Sequence, residues 1–279
     1  MPFFLQSNCT RGRENSADKF KNASSAIFLA FCTLILAAFQ PMPARHEKTS
    51  ELPSLILWAW THNDDLRFVN SRDTAIAFYA GTIVLGLETA NLQSRKNSLR
   101  INERVTCFPV FRIEKAHRNE AASAKALDRA NEIIHAYLAE HPSKIVQIDF
   151  DADTTDRQSY LIFLQELRKR LPRGTAVSIT ALASWCLDDK WLQHAPVDES
   201  VAMMFSMGKG HKDAIELLSK RKLDSGSDCR QSIGISVSEE NTNKKLKEFN
   251  CFENKHIYAF SSLGWTKQRY DHLREEVGY

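Results

Sequence analysis

Residues Lys144–Asp151 read KIVQIDFD. Val146, Ile148 and Phe150 share one face of a strand, and Gln147, Asp149 and Asp151 share the other. The first face suits an apolar helix layer. A carboxylate pressed against that layer would be heavily penalised. The Gln147/Asp149/Asp151 face must therefore look into a space that offers it partners or water. The lumen of a barrel is such a space, because barrel strands alternate inward and outward residues. Asp151 then lies nearest the C-terminal mouth.

The flanking sequence supplies the rest of that barrel. Short apolar runs rich in β-branched and aromatic residues predict strands at Ser54–Trp60, Ala75–Leu85, Val105–Glu114, Lys144–Asp151, Ala176–Trp185, Val201–Met207, Ser232–Val237 and His256–Ser261. Helical spacing predicts helices at Ala121–Glu140 and Arg157–Arg170, with Pro142 and Pro172 beyond their ends. Asp213–Arg221, Thr242–Phe249 and Thr266–Val277 read as shorter helices, and Ala90–Arg104 is polar with a weak helix signal. Strand then helix, repeated, implies parallel strands with helical crossovers. Residues 45–279 hold eight such units, and a (β/α)8 TIM barrel takes ~250 residues. An open doubly wound sheet is the alternative. It would normally carry a glycine-rich phosphate loop after its first strand, and here that strand ends LWAWTHNDD.

The composition bounds the function. Lys and Arg total 37 against 34 Asp and Glu, a net charge of +3, which argues against a dedicated nucleic-acid binder. Residues 1–25 are mostly polar with scattered positive charge, and Ala26–Phe39 is an uncharged apolar run of 14 residues. That is short for a spanning helix and right for a signal-peptide core. The expectation is a signal peptide or membrane anchor over residues 1–44 and one barrel domain over 45–279. The domain is then exported, periplasmic or anchored at the inner membrane facing the periplasm. The membrane is touched only through the N-terminal segment.

Active sites of such barrels lie at the C-terminal ends of the strands. The third strand sends Arg112 and Glu114 inward, and Arg112 can reach Asp149 on the neighbouring fourth strand. Strand five supplies Ser178 and Thr180 inward, and strand seven Ser236. The expected mouth holds Glu114, Asp149, Asp151, Asp153 and Glu239, ringed by Trp58, Trp60, Trp185 and Trp265. Carboxylates supply the acid, base or nucleophile of glycosidic bond cleavage, and aromatic faces can stack on sugar rings. Structural alternatives stand beside these roles. An Arg112–Asp149 pair can simply neutralise a polar interior. The tryptophans can cap the core, and Glu239 and Asp188 can be first-turn helix charges.

Several stretches together resemble a known family: LWAW (57–60), FRIE (111–114), VQIDFDA (146–152), SITALASWC (178–186), GIS (234–236) and IYAFSSLGWT (257–266). They look like exported bacterial proteins that carry only a domain-of-unknown-function label. The resemblance implies a glycoside-hydrolase-like barrel over most of residues 54–266. THNDDL (61–66) and SSLGW (261–265) depart from the ERPEDL-like and NPRPW-like runs usual there. A more distant likeness is to chitinase-type hydrolases, whose fourth strand reads D-x-x-D-x-D-x-E. Asp149, Asp151 and Asp153 match its last three acidic places, and Val146 stands at the first. The likeness implies that the last place protonates the glycosidic oxygen. Asp153 is one methylene short for that.

Other chemistries are weaker. His62 and Asp64 are the only local hint of metal ligands; no metal and no cofactor is expected. A serine nucleophile's G-x-S-x-G is absent. Cys229 and Cys251 precede strands on the bottom face and are candidates to pair in an oxidising compartment. Cys186 reads as a free thiol at the mouth. Two readings follow. One is an exported glycoside hydrolase acting on a polysaccharide, with Asp151 as nucleophile or stabiliser and Glu114 or Asp153 as proton donor. The other is a non-catalytic barrel that binds a polysaccharide or an envelope partner.

Overall fold

In the computed structural model all eight expected barrel strands form, and they close on themselves. The structure describes residues 49, 51–70, 72–117, 120–187, 191–207, 232–253 and 255–279. The expected targeting segment, the helix at Asp213–Arg221, Asp188 and Cys229 lie outside the described residues. Ala44–Tyr279 form one compact unit.

The elements are β1 (Leu55–Ala59), β2 (Asp64–Leu66), β3 (Thr74–Leu85), β4 (Ala90–Ser94), β5 (Leu99–Ile101), β6 (Cys107–Lys115), α1 (Ala124–Glu140), β7 (Ile145–Phe150), α2 (Arg157–Arg170), β8 (Ala176–Leu182), α3 (Ala183–Leu187), a 3-10 turn (Trp191–His194), β9 (Glu199–Met203), β10 (Ser232–Ser236), α4 (Glu240–Glu248), β11 (His256–Phe260) and α5 (Lys267–Val277). Strands β1, β3, β6, β7, β8, β9, β10 and β11 are all parallel, and the β1–β3 pairing shuts the ring. The protein is a (β/α)8 barrel.

The weak helix signal over Ala90–Arg104 is corrected. That segment forms β4, antiparallel to β3, and β5, parallel to β2. Its reach depends on Gly81, where a Cβ would lie 2.6 Å from the Gln93 carbonyl oxygen. The first two crossovers are thus built from short strands. The fifth strand is shorter than expected: it ends at Leu182, and Ala183–Leu187 is helical.

Two apolar layers follow from the strand alternation. Val146, Ile148 and Phe150 of β7 and Val177 and Ile179 of β8 pack outward against Leu127 and Ile134 of α1 and Tyr160, Phe163 and Leu167 of α2. Each large side chain fully buried there contributes roughly 1.5–3 kcal/mol. Ser123 caps α1 by accepting the Ala126 N–H, and Thr266 caps α5 by accepting that of Arg269. A second cluster fills the lumen: Ile56 and Trp58 of β1, Ala75 and Ala77 of β3, Phe108 and Val110 of β6, Val201 of β9 and Tyr258 of β11.

Trp58 is the largest side chain of that inner cluster, and Gly234 makes room for it. A Cβ on Gly234 would lie 2.8 Å from Trp58 Cη2 and 3.0 Å from Cζ3. Gly234→Ala is expected to cost on the order of 1–3 kcal/mol by overpacking, read as a lower urea midpoint. An unchanged midpoint would show that the indole is free to move aside.

Candidate active site

At the C-terminal end of β6 and β7, one guanidinium serves three carboxylates. The register sets Arg112 beside Asp149. Arg112 Nε donates to Glu114 Oε1 at 2.7 Å. Its two Nη atoms lie 3.7 Å from Asp149 Oδ2 and 3.9 Å from Asp151 Oδ2. Alternation explains the set: Arg112 and Glu114 are two apart on one strand, Asp149 and Asp151 two apart along the next. The inward direction expected for Arg112, Glu114, Asp149 and Asp151 is the one observed.

These carboxylates have unequal surroundings. Asp149 is buried and accepts one short hydrogen bond, from Thr180 Oγ1 at 2.7 Å. Burial, and then the charge of Asp151, push its pKa up to about 6, against the lowering effect of Thr180 and Arg112. The Asp151 side chain is 56% exposed and that of Glu114 46%. The site therefore sets a buried carboxyl that keeps its proton up to about pH 6 beside solvent-facing carboxylates.

Asp153 does not join them. β7 ends at Phe150, so the alternation that would aim Asp153 inward stops short of it. Asp153 accepts from Thr155 N and Oγ1 and from Lys115 Nζ at 2.9 Å. The Thr155 hydroxyl and the Lys115 ammonium hold its carboxyl well below the usual range. Lys115 also binds the buried Asp156 at 2.7 Å, and Asp156 accepts the Ala122 N–H before α1. Asp153 is thus part of a loop-fixing ion pair, apart from the Arg112 cluster.

The aromatic ring of the mouth is corrected in part. Trp58 lies in the lumen but is 3% exposed, with Nε1 donating to Gln147 Oε1 at 2.7 Å. It is a floor beneath the mouth and offers no open stacking face. Trp60 is half-buried against Tyr79, ring centroids 5.1 Å apart. Trp185 packs edge-on to Trp191 in the outer layer. It sits on α3, where the strand's period of two has given way to helical spacing. Trp265 is buried in the same layer and donates from Nε1 to the Trp58 carbonyl. Both pack in the outer layer and present no face to the lumen cluster. Glu239 precedes α4 and accepts the Ser206 N–H at 2.8 Å, joining the loops after β9 and β10.

Phe205 and Phe260, unassigned from sequence, stack with centroids 5.6 Å apart beside Trp58. The alternation His256, Tyr258, Phe260 carried the signal for the second. Arg95 was also missed. It donates to the carbonyls of Ala59, Trp60 and His62, fixing the end of β1. Asp64 accepts the Trp265 N–H and faces Arg95 at 3.8 Å, so a cation already stands at the metal hint. Among the described residues no group of three or more candidate metal ligands occurs. Cys251 is free and Cys186 is disulfide-bonded, which corrects the expected Cys229–Cys251 pair and the free thiol at Cys186.

No family model matches the chain, and no curated protein matches it in sequence. Solved structures do share the fold. A chitinase from Bacteroides thetaiotaomicron superposes with a TM-score of 0.54 at 13% identity, over 82% of this chain and 96% of that one. A fungal endo-β-N-acetylglucosaminidase of glycosyl hydrolase family 18 gives 0.51 at 10%, over 81% and 98%. The Bacillus megaterium spore cortex-lytic enzyme SleL gives 0.51 at 12%, over 80% and 73%. The chain shares the TIM-barrel fold of these enzymes.

The raised Asp149 carboxyl has a stability consequence. Its folded pKa of about 6 lies above the ordinary aspartate value of 3.8. The folded state therefore binds the proton more tightly, and stability falls as pH rises from about 4 to about 6. The shift corresponds to on the order of 3 kcal/mol at most. Asp149→Asn keeps an acceptor for Thr180 and leaves Arg112 with Glu114 and Asp151. It is expected to be more stable than wild type at pH 7.5 and to lose that slope, as read by chemical denaturation at pH 4 and pH 7.5. A variant less stable at both would show Asp149 to be a purely structural charge.

Proposed function

We propose that the protein is a glycoside hydrolase acting on a polysaccharide outside the cytoplasm, with its active site at the barrel mouth. The observation that carries this is the carboxylate cluster around Arg112 at the ends of β6 and β7: a buried Asp149, its pKa raised to about 6, beside a solvent-facing Asp151. Asp151 stabilises positive charge at the sugar carbon or attacks it. Asp149 lies beneath it, with its pKa raised to about 6, and exchanges a proton as the pH passes that value. Glu114 is the remaining exposed carboxylate on this arc and is assigned as proton donor. Trp60 and the Phe205/Phe260 pair lie on the opposite arc, from β1, β9 and β11, and give an apolar face for the sugar. The barrels of the chitinase and of SleL support a carbohydrate substrate by their fold. Export rests on the apolar run at 26–39.

One observation favours the second reading, a non-catalytic glycan-binding barrel. Asp153, where the chitinase-type pattern has its acid, is committed to Lys115 and Thr155.

The test is reducing-end release by the full chain over bacterial and plant polysaccharides, beside Asp151→Asn. Hydrolysis is expected from the wild type, with a loss of at least ~100-fold in the folded variant. Binding without release would move the assignment to the second reading. Neither binding nor release would contradict both.

A further inference from the structure

The closed end of the barrel holds a second buried carboxylate, which the proposed chemistry leaves unused. Glu199 opens β9 and its side chain is 1% exposed. Oε2 accepts from Ser178 Oγ at 2.8 Å and from the Tyr258 hydroxyl at 2.6 Å. Oε1 accepts from Ser232 Oγ at 2.5 Å and faces His256 Nδ1 at 2.8 Å. Burial alone would raise its pKa. The hydrogen bonds from His256, Ser232 and Tyr258 more than offset this and hold it below the usual value.

An ionised carboxylate only accepts, so every donor around Glu199 has a fixed direction. That direction propagates upward. The Ser178 proton is committed to Glu199, and its oxygen accepts from Gln147 Nε2 at 2.9 Å. The Gln147 amide is thereby oriented with Oε1 toward Trp58, and it accepts the indole N–H at 2.7 Å. A second arm runs through Tyr258, whose ring packs on the Trp58 indole with centroids 5.1 Å apart. Trp58 in turn meets Phe205 edge-on at 6.1 Å, and Phe205 stacks on Phe260. Two arms from one carboxylate therefore meet on the indole that supports the mouth's apolar face.

We propose that Glu199 is a positioning residue for the glycan site: from the closed end of the barrel it fixes Trp58, and through Trp58 the Phe205/Phe260 face at the open end. This rests on the reading of the mouth as a glycan site. Glu199→Gln would place an amide N–H₂ against two committed donors, and the relay to Gln147 would break or reverse.

The experiment is ¹⁵N–¹H spectroscopy of the indole groups of the full chain, with affinity measured for N-acetylglucosamine hexasaccharide. The chain has 5 tryptophans, and Trp58→Phe identifies the Trp58 signal. Glu199→Gln is expected to move that signal while Trp185 and Trp191 in the outer layer stay in place. Affinity should fall about tenfold, the equivalent of one buried hydrogen bond. Ser178→Ala and Tyr258→Phe each remove one arm and are expected to move the signal by smaller steps, so the proposal stays testable if Glu199→Gln does not fold. An unmoved Trp58 signal in the folded variants would overturn the inference. So would a moved signal with unchanged affinity. A wild-type chain that binds no hexasaccharide would count against the glycan reading, and the indole signal alone would then decide the claim about Trp58.

Discussion

A carboxylate inside a closed barrel must be given donors, or it gives up its charge. This protein places two carboxylates in one lumen and treats them in opposite ways. Glu199, at the closed end, has four partners and stays ionised. Asp149, toward the open end, has one hydroxyl and a share of one guanidinium, with Asp151 beside it. The difference is local supply of donors. Ser178, Ser232 and Tyr258 surround the first, and Thr180 alone donates a short bond to the second. Full satisfaction at one end makes a structural anchor. Partial satisfaction at the other leaves a carboxyl poised to exchange its proton.

Between the two lies Trp58. Its N–H goes to Gln147, its ring rests on Tyr258, and the absent side chain of Gly234 leaves the space it fills. Its carbonyl is held by Trp265, and the carbonyls that follow it by Arg95. Residues far apart in the chain thus converge on one strand end, and this gives the mouth a fixed floor. The charged arc from β6 and β7 faces an apolar arc from β1, β9 and β11 across that floor. A sugar ring, apolar on its faces and polar at its edge, matches such a division.

Much of this was legible in the residues themselves. Alternation in KIVQIDFD told inward from outward, and adjacency of the third and fourth strands brought Arg112 to Asp149. Failures cluster where a strand ends. Asp153 lies three residues beyond Phe150, the last strand residue of β7, and the loop turns it to Lys115. Trp185 and Trp265 lie where strand gives way to helix, so a period of two no longer aims them. Glu199 was hidden because the apolar run begins only at Val201, while the strand itself starts two residues earlier. β4 and β5 are short, and each turns only two apolar residues onto the core, Ala90 and Leu92 or Leu99 and Ile101, too few to announce a strand. The cysteine pairing needed spatial proximity, which spacing does not supply.

The most direct measurement is a residue-specific ¹³C titration of the two lumen carboxyls. Asp149 is expected to titrate near pH 6 while Glu199 remains ionised throughout that range. Asp149 with an ordinary carboxylate midpoint, or Glu199 protonating before it, would contradict the claim that the barrel anchors one acid and poises the other.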